Sequence, residues 1–350
     1  MKMLQLNFEK GWGGGERQTL FNMIGFRDSG YEVALLCRKN CPLAQKSNEA
    51  GFETFAFSNV ISAAFFLAFR CRKYNIMQVQ ASHILTYAVI TKFLHQAKII
   101  FTRRIDNVPK GAVTRWKYSI ADKIVVISEA VKKVIENFIN RETELISDAC
   151  VKKELNIARA KKLTDDLNIQ EGTFIIGTTT SVTKTKAPLV MLEAIRILFQ
   201  KKKNFVFLHF GSGDLENEMR KKIDEYHLNN VYYLIGFKEN PEDFFSVMNM
   251  FTRSSILEGL GSSVLDAFMY KVPVVVTDAG GLAELVQDGR GILCKKNSAE
   301  SLAEGMERLM DTPDMIKPMT DQAYDYVNKF HSIAYITKQY TDLISQLGVA

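Results

Sequence analysis

Hydrophobic positions recur along the chain as short runs of β-branched and aliphatic residues, each followed by an amphipathic segment of helical length. Strands that alternate with helices form parallel sheets with helices packed on their faces. Two successive series of such runs therefore predict an α/β protein with two doubly wound, Rossmann-like domains. The predicted strands are Met3–Phe8, Glu32–Cys37, Thr54–Phe57, Ile76–Gln80, Lys98–Phe101, Ile124–Ile127 and Glu144–Ile146 in the first series, and Phe174–Thr178, Phe205–Phe210, Val231–Ile235, Met248–Thr252, Val272–Thr277 and Gly291–Cys294 in the second.

A polar stretch without a strand-like run, residues 151–172, separates the two series. We place the boundary inside it, with a first domain at 1–160 and a second at 161–331. The tail, 332–350, has apolar residues at helical spacing and predicts a helix that packs back on the first domain. Ligands of parallel sheets bind beyond the carboxyl ends of the strands, so we expect a site in a cleft between the two domains.

The composition is that of an ordinary globular protein, with 47% hydrophobic and 24% charged residues among 350. The longest apolar run, Val60–Phe69, is shorter than the ~20 residues that a membrane span needs. We expect no signal peptide before the first strand, and hence a cytoplasmic protein, with the cytoplasmic face of the membrane as a further location. The five cysteines include no C-x-x-C pair, which favours reduced, buried thiols.

Charge is divided unevenly along the chain. Residues 1–160 hold 24 Lys and Arg against 14 Asp and Glu, whereas the remaining residues hold 21 against 25. A basic first half indicates an anionic partner such as the phosphates of a lipid headgroup or a nucleic acid. No aromatic-basic RNA-binding signature or helix-turn-helix pattern accompanies it, so we expect no nucleic-acid partner.

Three glycine-rich turns follow predicted strands. The first spans Gly11–Arg17, where Gly14 and Gly15 open a helix and can direct backbone amides at a phosphate. The other two contain Gly211 with Gly213, and Gly280 with Gly281. Each alone is also compatible with a tight turn without a ligand, but together they favour a phosphorylated ligand.

The segment Ser254–Ala267 contains two acids, Glu258 and Asp266, eight residues apart. In one helix they would lie ~12 Å apart along the axis. Gly259 and Gly261 interrupt such a helix, which places Glu258 on a loop and Asp266 in the helix that follows. The start of that helix would suit a diphosphate, although two such acids are also typical of a solvated surface.

These blocks resemble the retaining glycosyltransferases of family 4, of the bacterial surface-glycan type, which have the two-domain GT-B fold. The resemblance extends over nearly the whole chain. It is carried by Gly13–Arg17, Thr102–Asp106, Val126–Ala130, Ile256–Gly261 and Pro273–Gly281.

The resemblance implies roles for particular residues of the second domain. Glu258 would contact hydroxyls of the donor sugar, and Asp266 would hold the ribose, although the family has Glu at that position. Lys186 aligns with the family lysine that binds the leaving diphosphate, with Lys184 as a rival, while Ser181 or Thr180 stands where the family has Arg. The remaining donor-binding residues would be Gly14 and Gly15 of the first domain and, in the second, Gly211, Gly213, Phe237, Gly259, Leu260, Gly261, Gly280 and Gly281.

In the first domain the resemblance implies that His83, just after a strand, faces the reacting sugar; a helix-capping or structural histidine is the alternative. Arg103, Arg104 and Asp106 would bind an acidic acceptor. The basic residues Lys110, Arg115 and Lys117 extend this group around Trp116, although a solvated basic face explains them equally well.

The predicted function is retaining transfer of a sugar from UDP- or GDP-sugar to a hydroxyl of a glycan or lipid-linked acceptor in surface polysaccharide or lipopolysaccharide biosynthesis. No D-x-D motif occurs, so we expect no metal and no other cofactor. The alternatives are a GT-B nucleotide-sugar epimerase, a non-catalytic nucleotide-sugar-binding protein and an NAD(P) oxidoreductase. The last is disfavoured because the first glycine turn departs from G-x-G-x-x-G. Val60–Phe69 with the basic residues after it would dock on the inner membrane or form a partly buried helix.

Overall fold

The computed structural model describes residues 1–349, which form two compact units. The first unit comprises Met1–Ala149 together with the residues from Phe330 onward, and the second comprises Cys150–Lys329.

Thirteen strands lie in two sheets, and every pairing between neighbouring strands is parallel. The strands are β1 (Lys2–Asn7), β2 (Glu32–Arg38), β3 (Glu53–Phe57), β4 (Ile76–Val79), β5 (Lys98–Arg103), β6 (Lys123–Val126), β7 (Glu144–Leu145), β8 (Phe174–Thr179), β9 (Phe205–Phe210), β10 (Tyr232–Gly236), β11 (Met250–Arg253), β12 (Val274–Thr277) and β13 (Ile292–Cys294). The first unit holds a seven-stranded sheet of order β3-β2-β1-β4-β5-β6-β7, and the second a six-stranded sheet of order β10-β9-β8-β11-β12-β13.

Helices connect successive strands. They are α1 (Gly14–Asp28), α2 (Pro42–Glu49), α3 (Val60–Arg70), α4 (Ser82–Ile90), α5 (Lys92–His95), α6 (Ala112–Ile120), α7 (Glu129–Ile139), α8 (Ile157–Asp166), α9 (Pro188–Gln200), α10 (Glu216–Glu225), α11 (Ser262–Met269), α12 (Gly281–Leu285), α13 (Ala299–Asp311), α14 (Ile316–Phe330) and α15 (Ile333–Ser345). Short 3-10 turns cover Lys184–Lys186, Pro241–Val247 and Pro313–Met315.

All thirteen predicted strands are present, and their bounds differ from the prediction by three residues or fewer. The strands were predictable because central strands of a parallel sheet are buried on both faces and appear as continuous apolar runs. In β4 and β9, for example, every residue is buried. The two sheets of this order are those of two Rossmann-like domains, as the sequence predicts.

The C-terminal helix α15 packs against α1 inside the first unit. Gly25 of α1 leaves room for Thr337 and Ile333, and the rings of Phe26 and Tyr340 meet edge to face at 5.8 Å. A methyl group at position 25 would lie 1.9 Å from the Thr337 hydroxyl, so glycine permits this close helix contact.

The first unit ends at Ala149, eleven residues before the boundary placed at 160. The intervening chain is fastened to the second unit by polar contacts that a sequence does not reveal. The Lys153 amide donates to the Tyr270 hydroxyl at 3.0 Å, and the Asn156 amide donates to Asp243 at 3.0 Å. The second unit correspondingly ends at Lys329, two residues before 331.

Within residues 1–349, no helix combines the length and the hydropathy that crossing a bilayer requires.

Candidate functional site

A cluster of three charged side chains lies at the carboxyl edge of the second sheet. Glu258, on the loop between β11 and α11, accepts a hydrogen bond from Lys186 Nζ at 2.9 Å and another from Arg253, the last residue of β11. The Ser255 hydroxyl donates to the same carboxylate at 3.0 Å. The Glu258 side chain is only 12% exposed, so two cations surround one shielded anion.

The loop that carries Glu258 is held from two sides. The Ile256 amide donates to the Thr185 carbonyl at 2.9 Å, which joins the loop to the turn that carries Lys186. On the other side, the Gly281 amide donates to the Glu258 carbonyl at 3.1 Å. A Cβ at position 281 would lie 2.6 Å from backbone atoms of Gly259 and Leu260, so only glycine allows this approach.

The surroundings of Glu258 favour its ionised form. Burial acts to raise the pKa of the carboxyl group, but the charges of Arg253 and Lys186 outweigh burial and hold the pKa below its usual range. The cluster therefore keeps one negative and two positive charges at neutral pH. Its net charge is positive within a half of the chain whose overall charge is negative.

Gly261 and α11 follow directly. Gly261 has φ +98° and precedes the first turn of α11, where Ser262 and Ser263 lie. The Ser263 hydroxyl accepts from Arg253 at 2.6 Å, so the start of this eight-residue helix lies beside the charged cluster. Gly259 and Leu260 are buried.

Asp266 lies in the second turn of α11 and is buried, with 6% exposure. The Cys150 thiol lies 3.5 Å from its Oδ1. The structure thus separates the two acids as predicted, with Glu258 on a loop and Asp266 on a helix. Contact of Asp266 with a ribose stays a prediction.

The structure distinguishes the two candidate lysines by their surroundings. Lys186 is half-buried and paired with Glu258, whereas Lys184, in the same 3-10 turn, is exposed. Ser181, at the position where the resembling family has Arg, is exposed as well.

Gly211 and Gly213 provide a close backbone approach between two loops. A Cβ at these positions would lie 1.9 Å from the Thr180 carbonyl oxygen and 2.2 Å from that of Val182. The Gly211 amide also donates to the Gly236 carbonyl at 2.9 Å. Next to this turn, Phe237 exposes 60% of its surface, and its amide donates to the Ser212 hydroxyl at 3.1 Å. A ring exposed beside such a turn can stack on a base.

In the first unit, Gly14 and Gly15 open α1, as the sequence predicts. Glu16 in the same turn accepts from the Gly13 amide at 2.9 Å and from Asn7 at 3.4 Å. Burial raises the pKa of Glu16 above its ordinary value. The start of α1 thus has a carboxyl group of the protein among its amides, which makes it a weaker anion site than α11.

His83 lies in the first turn of α4, directly after β4. It is exposed, its Nδ1 lies 3.5 Å from a Glu9 carboxylate oxygen, and its ring meets Phe8 edge to face at 6.3 Å. The alternative of a buried structural histidine is therefore wrong for His83.

Arg103 and Arg104 both have partners within the first unit. Arg103 donates to the carbonyls of Ile105 and Asn107 at 3.0 Å and so shapes the loop that contains Asp106. Arg104 pairs with Asp148 and donates to Gln80 at 3.1 Å. Burial lowers the pKa of Arg104, which nevertheless stays charged at neutral pH.

Lys117 does not belong to the exposed basic group to which the sequence assigned it. The residue is buried, and its ammonium donates to the Ser82 carbonyl at 2.6 Å and to Thr86 at 3.3 Å. These contacts hold the start of α4 against α6. Lys117 has this structural role because it lies on the face of α6 that packs against α4. Lys110, Arg115 and Trp116 are exposed.

Arg253 is the member of the charged cluster that the sequence reasoning missed. The signal was present, because Arg253 directly follows the predicted strand Met248–Thr252, at the sheet edge where ligands bind.

No group of three or more His, Cys, Asp or Glu side chains within residues 1–349 is arranged to hold a metal ion. The absence of a metal requirement stays a prediction.

Comparison with known proteins shows which family the second unit resembles. Residues 160–326 match the model of the family described as glycosyl transferases group 1. The match covers 167 of the 350 residues and most of the second unit, so the second unit is similar to a group 1 glycosyltransferase domain.

Individual relatives agree with this class. An uncharacterized glycosyltransferase of Methanocaldococcus jannaschii is 27% identical over 47% of this chain and 41% of its own length. The capsular polysaccharide biosynthesis glycosyltransferase CapM of Staphylococcus aureus is 24% identical over 61% of this chain and 58% of its own length. The chain thus aligns with only about half the length of these two curated relatives.

Among solved structures, Anabaena HepE in complex with UDP-glucose superposes with a TM-score of 0.85 at 17% identity, covering 99% of this chain and 100% of that one. The likeness at this identity shows the GT-B fold.

Proposed function

We propose that this chain is a retaining, metal-independent glycosyltransferase. It moves a sugar from a UDP- or GDP-sugar to a hydroxyl of a glycan or lipid-linked acceptor in the synthesis of surface polysaccharide or lipopolysaccharide. The relative CapM, named for capsular polysaccharide biosynthesis, supports this class of product. The acceptor is presented in the cytoplasm or at the cytoplasmic face of the membrane.

The observation that carries the proposal is the cluster of Lys186, Arg253 and Glu258 beside the start of α11. A nucleotide sugar presents a diphosphate and several hydroxyls side by side. The cluster offers the complementary groups, namely a cation for the phosphates and a fixed carboxylate that accepts hydrogen bonds from hydroxyls.

Lys186 is the cation that binds the leaving diphosphate. The Lys186 side chain is flexible and 21% exposed. Its ammonium can therefore move from Glu258 to a phosphate without a change in the backbone. The amides at the start of α11 add further donors. Fixed positive groups of this kind stabilise the charge that develops as a diphosphate leaves, and a divalent metal is not required for that purpose.

Glu258 orients the sugar rather than attacking it. Arg253 and Ser255 fix the carboxylate, which accepts hydrogen bonds from hydroxyls of the donor sugar. The bond from the anomeric carbon to the diphosphate breaks, and the acceptor oxygen bonds to that carbon on the same face. An oxygen of the leaving phosphate takes the acceptor's proton, so the configuration is retained. His83, Arg103, Arg104 and Asp106 of the first unit are proposed to serve the reacting sugar and the acceptor.

Donor consumption followed by proton NMR tests the reaction. The protein is incubated in EDTA with a panel of UDP- and GDP-sugars, alone and with a membrane glycolipid extract. We expect one donor to lose its sugar with retained anomeric configuration at first formation, and Glu258→Gln to abolish the reaction.

The other possible results of this experiment each contradict a part of the proposed function. An inverted product contradicts retention, and activity that appears only after Mg²⁺ or Mn²⁺ is added contradicts metal independence. An epimerised nucleotide sugar without release of the nucleotide identifies an epimerase. Reduction or oxidation of NAD(P) identifies an oxidoreductase, and binding of a nucleotide sugar without turnover in either condition identifies a non-catalytic binder.

A further inference from the structure

Large apolar side chains are exposed on one segment of the first unit far more than elsewhere. Of twelve exposed large hydrophobic residues in that unit, nine lie between residues 61 and 116. On α3, Ile61, Phe65 and Phe69 recur every fourth residue, and so form one stripe along the helix. Their exposed fractions are 63%, 63% and 71%, so this stripe faces solvent. Of the residues of α3, only Ala63 and Leu67 are buried in the core.

Neighbouring helices extend this apolar surface. α5, which contacts α3, exposes Phe93 at 73%, and α6, which contacts α4, exposes Val113 and Trp116. α4 also contacts α3, so these helices form one layer on the first sheet. The expectation of a partly buried α3 is correct for its inner face, but it leaves the aromatic outer face unexplained.

The same segment is almost free of acids. Residues 54–121 contain ten Lys and Arg but only one carboxylate, Asp106, and the exposed Glu53 just before them lies 3.8 Å from Lys73 Nζ. Five of the basic residues are exposed, and three of these, Arg70, Arg72 and Lys73, lie at or just beyond the end of α3. Exposed aromatic residues flanked by cations, without acids between them, are complementary to the apolar boundary and the anionic headgroups of a lipid bilayer.

We propose that this layer is a docking surface for an anionic membrane. The aromatic stripe of α3, joined by Phe93, inserts among the acyl chains near the headgroups, while Arg70 and Arg72 contact the lipid phosphates. Helix α3 then lies along the interface, and the first unit is held where a lipid-linked acceptor is found.

A second copy of this chain is a poorer occupant of the surface. Two such layers facing each other would bring ten exposed basic residues together, with only Asp106 and Glu53 of each copy to balance them. The resulting repulsion opposes association.

Vesicle co-sedimentation of the full chain tests the proposal. We use vesicles of phosphatidylcholine alone and of equal parts phosphatidylcholine and phosphatidylglycerol, without any sugar donor. We expect binding to the anionic vesicles that weakens as salt is raised. The double variant Phe65→Ser, Phe69→Ser should lower the partition coefficient at least ~10-fold, because each substitution removes a ring that would leave water.

The charge contribution is tested with Arg70→Gln combined with Arg72→Gln. With about 1 kcal/mol for each basic residue near an anionic surface, the pair should lower binding to anionic vesicles about 25-fold. Binding to pure phosphatidylcholine should not change. The control is Phe199→Ser, which removes an exposed ring from α9 of the second unit (41% exposed) and should leave binding intact.

The proposal is overturned if the wild-type protein does not bind anionic vesicles, or if Phe199→Ser weakens binding as much as the α3 variant does. It is also overturned if the wild type sediments as a dimer that the α3 variant converts to a monomer without any vesicle binding. The proposed reaction is not involved in this measurement, so failure of docking leaves sugar transfer untouched, and failure of transfer leaves docking untouched.

Discussion

Glu258 lies between two cations, and that arrangement sets what the carboxylate can do. A buried carboxyl without partners would take up a proton, whereas Arg253 and Lys186 keep it ionised. An ionised carboxylate with fixed orientation binds hydroxyl groups better than a solvated one, because its position is set before the ligand arrives. Arg253 acts through Glu258 and is a positioning residue in this account.

Glu258→Gln should separate catalysis from nucleotide binding. The amide has the same size but no charge, so we expect turnover to fall ~100-fold or more. The affinity for the nucleoside diphosphate should not fall. Without the negative charge of Glu258, the positive charges of Lys186 and Arg253 are fully available to attract the phosphates. Initial rates and titration calorimetry measure the two effects. Turnover near that of the wild type would contradict the role of Glu258.

Replacement of Arg253 should change the pH dependence of the reaction. In Arg253→Met the burial of Glu258 is no longer offset by this cation, so the pKa of Glu258 rises. The acidic limb of the kcat/KM profile should then move to higher pH, with partial recovery of the rate above it. Arg253→Lys keeps the charge and should leave the limb near its original position. A variant whose rate falls equally at every pH would indicate a purely structural role.

Glu258 and Lys186 were predicted because their sequence blocks resemble those of a glycosyltransferase family. The sequence did not predict their contact, since 72 residues separate them and the fold alone brings them together. Arg253 was missed although its position at a strand end was visible. The burial of Lys117 was not predictable, because neighbouring residues on one short helix differ only in the direction in which they point.

At the scale of elements, the turn before α12 supports the loop before α11. Gly280, with φ +51° and ψ −128°, lets the chain turn so that the Gly281 amide reaches the Glu258 carbonyl. The family resemblance implies that both glycines bind the donor. The structure gives Gly281 a definite internal contact that fixes the backbone of the charged cluster.

Gly281→Ala should therefore damage both stability and activity. The added Cβ would lie 2.6 Å from backbone atoms of Gly259 and Leu260, so the loop must shift, at a cost of ~1–3 kcal/mol. Gly11→Ala is the control, because its added Cβ meets no atom within 4 Å. Denaturant unfolding and turnover measure the effect. Equal stability and activity of Gly281→Ala and wild type would refute the tight packing.

Strand β9 contains a buried histidine that should make the stability of the protein depend on pH. His209 contacts the Tyr232 hydroxyl at 2.8 Å and the Thr180 carbonyl at 3.1 Å, and burial lowers its pKa to about 4. The unfolded chain takes up this proton near pH 6.5, so the native state loses stability as the pH falls from 6.5 towards 4. The loss attributable to His209 is ~3 kcal/mol at the lower limit.

Urea unfolding of wild type and His209→Gln at several pH values measures this contribution. Glutamine does not titrate, so the difference in unfolding free energy between the two proteins should narrow as the pH falls. A difference that stays constant from pH 7 to pH 4 would show that His209 is accessible to protons in the native state.

At the scale of the whole chain, the two Rossmann-like units followed from the apolar runs because buried parallel strands carry that pattern directly. The boundary at Ala149 could not be placed as well, since it depends on hydrogen bonds of Lys153 and Asn156. The exposed aromatic face of α3 was equally hidden, because periodicity shows which residues share a face but not which face the fold leaves open. The parallel sheets and the similarity of the second unit to group 1 glycosyl transferases together make nucleotide-sugar binding the central claim.

Titration calorimetry in EDTA with UDP, GDP, ADP and NADPH tests that claim most directly, on wild type, Lys186→Ala and the matched control Lys184→Ala. We predict micromolar binding of UDP or GDP by the wild type, weakened at least ~10-fold in Lys186→Ala through loss of a charge-assisted contact and unchanged in Lys184→Ala. Binding of NADPH alone, or of no nucleotide at all, would contradict the account. Loss of binding in Lys184→Ala instead would move the diphosphate to the other lysine of the same turn.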